Sequence, residues 1–243
     1  MTQSTVAVIQ ARMGSTRLPG KVLRPLGERS VIEWVMRAAR RAHAVDEIIV
    51  ATTTEPDDDA IAALATQLGV LVHRGPTDDV LTRFVGAVDG TQADVVVRLT
   101  ADCPLLDPRL IDAVCHTLRA TEADYASTIT PRCLPRGLDV EAVTTSTLRR
   151  VDRAATEHHR VHVTSLIYSE PAGFDIVGVT VHPPSDDLRV TLDTAADAQL
   201  LDALVARLAD EPPRWQDVVA ALRSDAELVA LNADVTQKAL VDG

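Results

Sequence analysis

Near the start of the chain, Gln10-Ala-Arg-Met-Gly-Ser-Thr-Arg-Leu-Pro-Gly-Lys21 brings together Arg12, Arg17 and Lys21 with two glycines and two adjacent hydroxyl side chains. Arg24 adds another cation, and no acidic residue appears before Glu28. The whole sequence holds 24 Lys+Arg against 35 Asp+Glu, so a purely cationic opening runs against its composition. Gly14 and Gly20 allow close approach of the backbone to a ligand, and Ser15 and Thr16 supply hydroxyl donors. Such a loop suits a polyanion, most simply a nucleoside triphosphate; a solvated surface loop is the plainer alternative. The P-loop pattern G-x-x-x-x-G-K-S/T does not fit, because five residues separate Gly14 from Gly20 and Val22 follows Lys21. The dinucleotide pattern G-x-G-x-x-G is absent as well.

Carboxylates downstream are the natural counterparts. Leu99-Thr-Ala-Asp102-Cys-Pro places an acid just beyond a buried strand. There it is able to hold Mg²⁺ against a phosphate, or to cap its own turn before Pro104. Asp193, in Arg189-Val-Thr-Leu-Asp193-Thr-Ala-Ala-Asp197, reads first as a helix N-cap. Asp78 and Asp79 suit the dipole of a helix start, which leaves Arg74 unexplained. Asp57-Asp-Asp59 has the look of a D-x-D metal motif, but its place in a first helical turn favours dipole compensation. Arg136 is able to grip a carboxylate or phosphate in bidentate fashion. Asp139 and Glu141, sharing one strand face, are able to accept sugar hydroxyls; a solvated edge strand explains them equally. His158 and His162 stand i, i+4, with no third zinc ligand evident.

The elements that must position these residues follow from periodicity. Strands are expected at 5–9, 47–51, 70–73 and 94–99, alternating with helices at 30–42, 54–69, 77–88 and 107–120. The capping box Ser30-Val-Ile-Glu33 opens the first helix, and Thr54 is expected to cap the second. That alternation implies an α/β fold with a mainly parallel sheet and ligands at the carboxyl ends of its strands. Past Tyr125 the pattern changes: a loop at 129–139, strands at 138–143, 174–181 and 188–191, and helices at 154–167 and from Asp193 or Thr194 to about 209. The break Glu211-Pro-Pro213 precedes a short helical tail.

Bulk properties narrow the class. A length of 243 residues and 46% hydrophobic content with 2% aromatics indicate an Ala/Val/Leu core. A formal charge of −11 speaks against a nucleic-acid partner. No apolar run is long enough to span a membrane, and the polar start leaves no room for a signal peptide, so a cytoplasmic protein is expected. Cys103, Cys115 and Cys133 are an odd, sparse set, expected as reduced thiols.

The motif Q-A-R-M-G-S-T-R-L-P-G-K-V-L closely resembles the opening of the cytidylyltransferases that make CMP-activated sugar acids, the CMP-Kdo and CMP-neuraminate synthetases, and most of all the branch known as spore-coat polysaccharide biosynthesis proteins. The likeness runs over roughly residues 5–205. It implies a three-layer, nucleotide-diphospho-sugar transferase-like (Rossmann-like) fold, with a nucleotidyltransferase domain over 1–210, an acceptor and dimerisation excursion at 129–170, and the tail at 211–243. It implies CTP as donor, Mg²⁺ on Asp102 and Asp193, and a homodimer. The implied nucleotide contacts are Ala11, Arg12, Gly14, Ser15, Arg17, Lys21 and Ala101, with Arg74 and Asp79 on base or ribose. Catalytic roles fall to Arg12, Lys21 and Asp102, and the acceptor, an acidic small molecule, falls to Arg136, Asp139, Glu141 and His162. Arg160-Val-His-Val-Thr164 resembles the branch's R-E-H-V-T, with Val161 replacing Glu and changing the charge of the acceptor pocket. A phosphonate or sugar-phosphate acceptor, a glycosyltransferase and a non-catalytic nucleotide-binding module are the alternatives.

Overall fold

A computed structural model describes residues 3–236. The central sheet contains strands β1 (Thr5–Gln10), β4 (Glu47–Thr53), β5 (Leu71–Gly75), β6 (Val95–Thr100), β7 (Tyr125–Ser127), β8 (Glu141–Thr144) and β9 (Ile176–Gly178) in the order β5-β4-β1-β6-β8-β7-β9. β5, β4, β1 and β6 are parallel, whereas β8 runs antiparallel to both its neighbours. A two-stranded hairpin, β2 (Pro25–Leu26) with β3 (Arg29–Ser30), closes the cationic loop. Trp34 donates its indole N–H to the Leu26 carbonyl and pins that hairpin to the core.

Both faces of the sheet are covered, which is why its strands read as near-continuous apolar runs. Ala7, Ile9, Val50, Val97 and Leu99 pack against α1 (Val31–Arg41), α4 (Pro108–Thr121) and α8 (Ala195–Val205). Val6, Val8, Ile49, Ala51 and Val96 pack against α3 (Val80–Val88), α5 (Thr145–Ala154) and α7 (Ser165–Ser169). The three-layer, mainly parallel α/β architecture expected from the sequence is the one observed.

Local chemistry sets the helix boundaries. Glu33 accepts the Ser30 backbone N–H at 2.7 Å, completing the reciprocal cap that opens α1. Asp107 caps α4, with Pro108 in its first turn. Several expectations need correction. The second helix is not capped by Thr54: Glu55 precedes a short 3-10 turn, Pro56–Asp58, which runs into α2 (Asp59–Gln67). The expected helix at 154–167 is displaced. Thr144 caps α5, which ends at Ala154; α6 (His158–Val161) and α7 follow as separate pieces, divided where Glu157 and Val163 adopt positive φ. The segment 188–191 is no sheet strand; it forms a single parallel bridge, Arg136 with Arg189.

Beyond α8, helices α9 (Trp215–Arg223) and α10 (Ala226–Ala230) bury Val218, Leu222 and Leu228 in the same core as the sheet. The expected tail from 237 onward lies outside the described residues. Within those residues no helix is long and apolar enough to cross a membrane, and the three cysteines are free thiols.

Candidate active site

The chain passes from β1 outward through β4 to β5 and then returns to the other side of β1 as β6, so strand order reverses between β1 and β6. A crevice forms at such a switch point, beyond the carboxyl ends of the strands. A cavity of about 420 Å³ occupies it. The Ala101 N–H donates to Gln10 O at 2.9 Å, tying the loops that leave the two strands.

The cationic loop is held from below. Asp58, 2% exposed, accepts the Met13 N–H at 2.7 Å, and its other oxygen accepts from the backbone and hydroxyl of Thr53. Burial works against its charge, but these donors hold its carboxyl below the usual range. The middle of Asp57-Asp-Asp59 is thus an anchor for the loop, a role with no local sequence signal. Gly20, at φ 71°, sends its N–H back to Met13 O at 3.0 Å and turns the chain so that Lys21 enters the cavity. Gly14 does not fill its expected role: it is exposed and outside the cavity wall, with nothing near the position of a Cβ.

Lys21 is the centre of the site. Its Nζ lies 2.6 Å from Asp102 Oδ2 and 2.7 Å from Asp193 Oδ1. Burial alone lowers its pKa, but the two carboxylates outweigh that and raise it, so the ammonium stays charged. Asp193 also receives Arg17 at 3.1 Å and Arg189 at 2.7 Å. Burial raises its pKa; these cations, Lys21 foremost, bring it below the ordinary value. The two carboxylates meet because their backbones are joined: Leu192 N–H donates to Asp102 O at 2.8 Å. Gly137, at φ 105°, allows the 132–139 loop to lie on this segment; a Cβ there would stand 2.5 Å from Thr191 N.

The other wall belongs to the excursion. Asp139 and Glu141 line the cavity, but neither is available to sugar hydroxyls as expected. Arg132 grips both oxygens of Asp139, at 2.6 and 3.1 Å. Glu141, 4% exposed, is filled by Arg98, the Tyr125 hydroxyl at 2.7 Å and the Thr164 hydroxyl. It neutralises the half-buried Arg98. Arg136 lines the cavity with no carboxylate partner among the described residues. Burial and then the charge of Arg132 lower its pKa. Arg12 likewise lines the cavity outside any ion pair, on the α3 side, where its charge reaches buried Arg83. Ala11, Ser15 and His162 complete the expected residues in the wall.

Arg74 and Asp79 are not brought to it. Arg74 is spent on Thr53 O, Glu55 O and Asp59. Asp79 caps α3 through the Thr82 N–H and pairs with Arg160. The sequence reading missed Arg98, Arg132 and Tyr168, all in the cavity wall. An arginine inside the apolar run Val95–Thr100 was the available signal for the first.

A cytidylyltransferase family model matches residues 6–205. The chain belongs to the cytidylyltransferase family. As such it is a nucleotidyltransferase. It is 32% identical to the spore coat polysaccharide biosynthesis protein SpsF of Bacillus subtilis, over 84% of this chain and 88% of that one. It is 35% identical to an uncharacterised protein of Methanocaldococcus jannaschii over 96% of each chain. The structure of a cytidylyltransferase from Leptospira borgpetersenii superposes with a TM-score of 0.90 at 25% identity, covering 98% of this chain and all of that one (100%). The cytidylyltransferase fold thus accounts for the crevice.

Proposed function

We propose that this cytidylyltransferase moves a cytidylyl group from CTP to an oxygen of an acidic small molecule, releasing pyrophosphate. The observation that carries the reading is the Lys21 ammonium clasped between Asp102 and Asp193, with Arg12 and Arg136, in no ion pair among the described residues, in the same cavity. Two half-buried acids sharing one cation suit a hard divalent ion, since Mg²⁺ takes one or two carboxylates plus phosphate oxygens. Asp102 and Asp193 would hold Mg²⁺, which neutralises phosphate charge as pyrophosphate departs. A triphosphate draws Lys21 and Arg17 away from the carboxylates, because phosphate oxygens offer them the same charge with better access. Arg12 and the Ser15 backbone take the remaining phosphate oxygens. Arg136 orients the acceptor through its acidic group, by fork geometry. Phosphoryl chemistry of this kind depends on positioning and charge rather than on a covalent nucleophile.

The SpsF relationship supports a nucleotide-activated sugar for polysaccharide assembly as the product. A cytoplasmic homodimer, expected from the family resemblance, is part of the same proposal. Pyrophosphate release measured with each of four nucleoside triphosphates, over sugar acids, sugar phosphates and phosphonates with Mg²⁺, tests the proposal. CTP and an acidic sugar should give turnover; release that is independent of acceptor, or confined to another triphosphate, overturns it.

A further inference from the structure

Asp193 does not stand alone. Its Oδ2 accepts from Arg189, whose Nε donates at 2.9 Å to Asp197 Oδ1. Asp197, fully buried, accepts at its other oxygen the N–H groups of Asp193 and Thr194, each at 2.9 Å. The Thr194 hydroxyl and Arg189 Nη2 add to that oxygen at 3.1 and 3.2 Å, and another donor comes from the far end of the chain. Asn232, 5% exposed and following α10, gives its side-chain amide to Asp197 Oδ1 at 2.9 Å and to Arg189 O at 3.3 Å. Its position is fixed by α9 and α10, which bury Val218, Leu222 and Leu228 against the sheet-facing core. Asn232 lies outside residues 6–205, the span matched by the family model.

We infer that Asn232 is a positioning residue for the active site: it locks Asp197, and through the Arg189 fork it holds Asp193 in line with Lys21. The physical reason is donor arithmetic. An ionised, buried carboxylate needs its lone pairs filled. The backbone amides, the Thr194 hydroxyl and one Arg189 nitrogen fill one Asp197 oxygen, while the other has Arg189 Nε and Asn232. Removing the amide takes away one of the two donors that the described residues give that oxygen, so Asp197, and the Arg189 fork seated on it, are less firmly held and are able to tilt together. The fork's other arm is bonded to Asp193, so a tilt moves the carboxylate that faces the nucleotide. Outer partners of this kind typically change ligand or metal affinity about 10–100-fold. The C-terminal helices therefore belong to the site, although they contribute no residue to its cavity.

The inference rests on the proposed use of CTP, and the test separates the two. CTP with Mg²⁺ is titrated by calorimetry into the full chain, Asn232→Leu, Asn232→Ala, Arg189→Lys and the Asn232→Leu/Arg189→Lys pair, with thermal unfolding of each. Both Asn232 variants should remain folded at the assay temperature and bind CTP about tenfold more weakly. In the pair, the Asn232 change should cost little more once Arg189 is altered, since the two act as one unit. A wild-type chain that does not bind CTP refutes the proposed function. Wild-type binding with unchanged affinity in the Asn232 variants, or fully additive losses in the pair, overturns the positioning role. An Asn232→Leu chain that fails to fold transfers the same decision to Asn232→Ala.

Discussion

Replacing Lys21 by Met tests the reading at its centre, because the same residue bears on stability and on turnover. Its Nζ is the shared partner of Asp102 and Asp193, and its side chain is 10% exposed. Removing one member of a buried ion pair costs about 3–5 kcal/mol. The lower end applies here: Asp193 keeps Arg17 and Arg189, and Asp102 keeps 25% of its side-chain exposure. A loss of about 3 kcal/mol corresponds to a fall in Tm of about 6–12 °C for a chain of this size. Mg²⁺ is then able to enter the place of the ammonium. At a hundredfold excess over its Kd, a ligand specific for the folded state returns about 2.7 kcal/mol. Differential scanning calorimetry should therefore show a destabilised variant that recovers most of its Tm with Mg²⁺, whereas the wild type, its carboxylates already neutralised, gains less. Turnover should not recover: loss of a contact to the developing phosphate charge costs about 10²–10³ in rate. A variant with unchanged Tm, or one in which Mg²⁺ restores pyrophosphate release, refutes the assignment of Lys21 to both tasks.

Three further outcomes follow from neighbouring contacts. Arg136→Met should raise KM for the acceptor by about 10–100-fold, as expected for loss of a charged hydrogen bond, and leave KM for CTP within about twofold; a reversed pattern in steady-state kinetics would assign Arg136 to the nucleotide. Asp58→Asn should cost about 1–3 kcal/mol at neutral pH through weakened acceptance from Met13 and Thr53. Because the folded-state pKa of Asp58 is depressed, its contribution is present above the unfolded carboxylate value, about 4, and disappears as pH falls through the lower folded value. The gap between the two Tm-versus-pH curves should accordingly close on the acid side. Gly137→Ala forces a Cβ to 2.5 Å from Thr191 N at a φ of 105°, so the 188–193 segment must shift. It should weaken CTP binding measured by calorimetry more than its effect on Tm alone explains.

Much of this was legible because chemistry and periodicity coincide in the first half of the chain. Thr5–Gln10 and Val95–Thr100 are apolar runs closed by polar residues, and the Ser30, Asp79 and Asp107 caps mark the starts of three of the helices between strands. The cationic loop and Asp102 fall directly after those strands, so their convergence follows from parallel topology. The second half resisted for identifiable reasons. Thr145–Ala154 has few apolar positions, and its helix is fixed by the Thr144 cap and by packing against α3 and the sheet. The 188–191 segment alternates like a strand, yet it pairs with one residue rather than a strand: Arg136 N–H donates to Leu188 O, and Val190 N–H donates to Arg136 O. No local pattern distinguishes a carboxylate facing ligand from one already filled by arginine. Asp139 and Glu141 were read as receptors for hydroxyls, but they pair with Arg132 and Arg98, partners distant from the motif or unremarked within it.

That pairing also explains how a chain of net charge −11 builds a site for anions. In the cavity wall Asp139 faces Arg132, Glu141 faces Arg98, and Asp102 and Asp193 face Lys21. Each acid is cancelled locally, which leaves Arg12 and Arg136 as the cations without a carboxylate among the described wall residues. They mark different parts of one cavity. Arg12 sits at the end of β1 on the α3 side, and Arg136 lies on the far side of β6 beside Arg189. Lys21 and its two carboxylates line the same cavity. A cation without an ion pair among the described residues at each end, and a carboxylate-held lysine between them, is the charge pattern that the proposed meeting of a triphosphate and an acidic acceptor requires. Net charge alone would have argued against it.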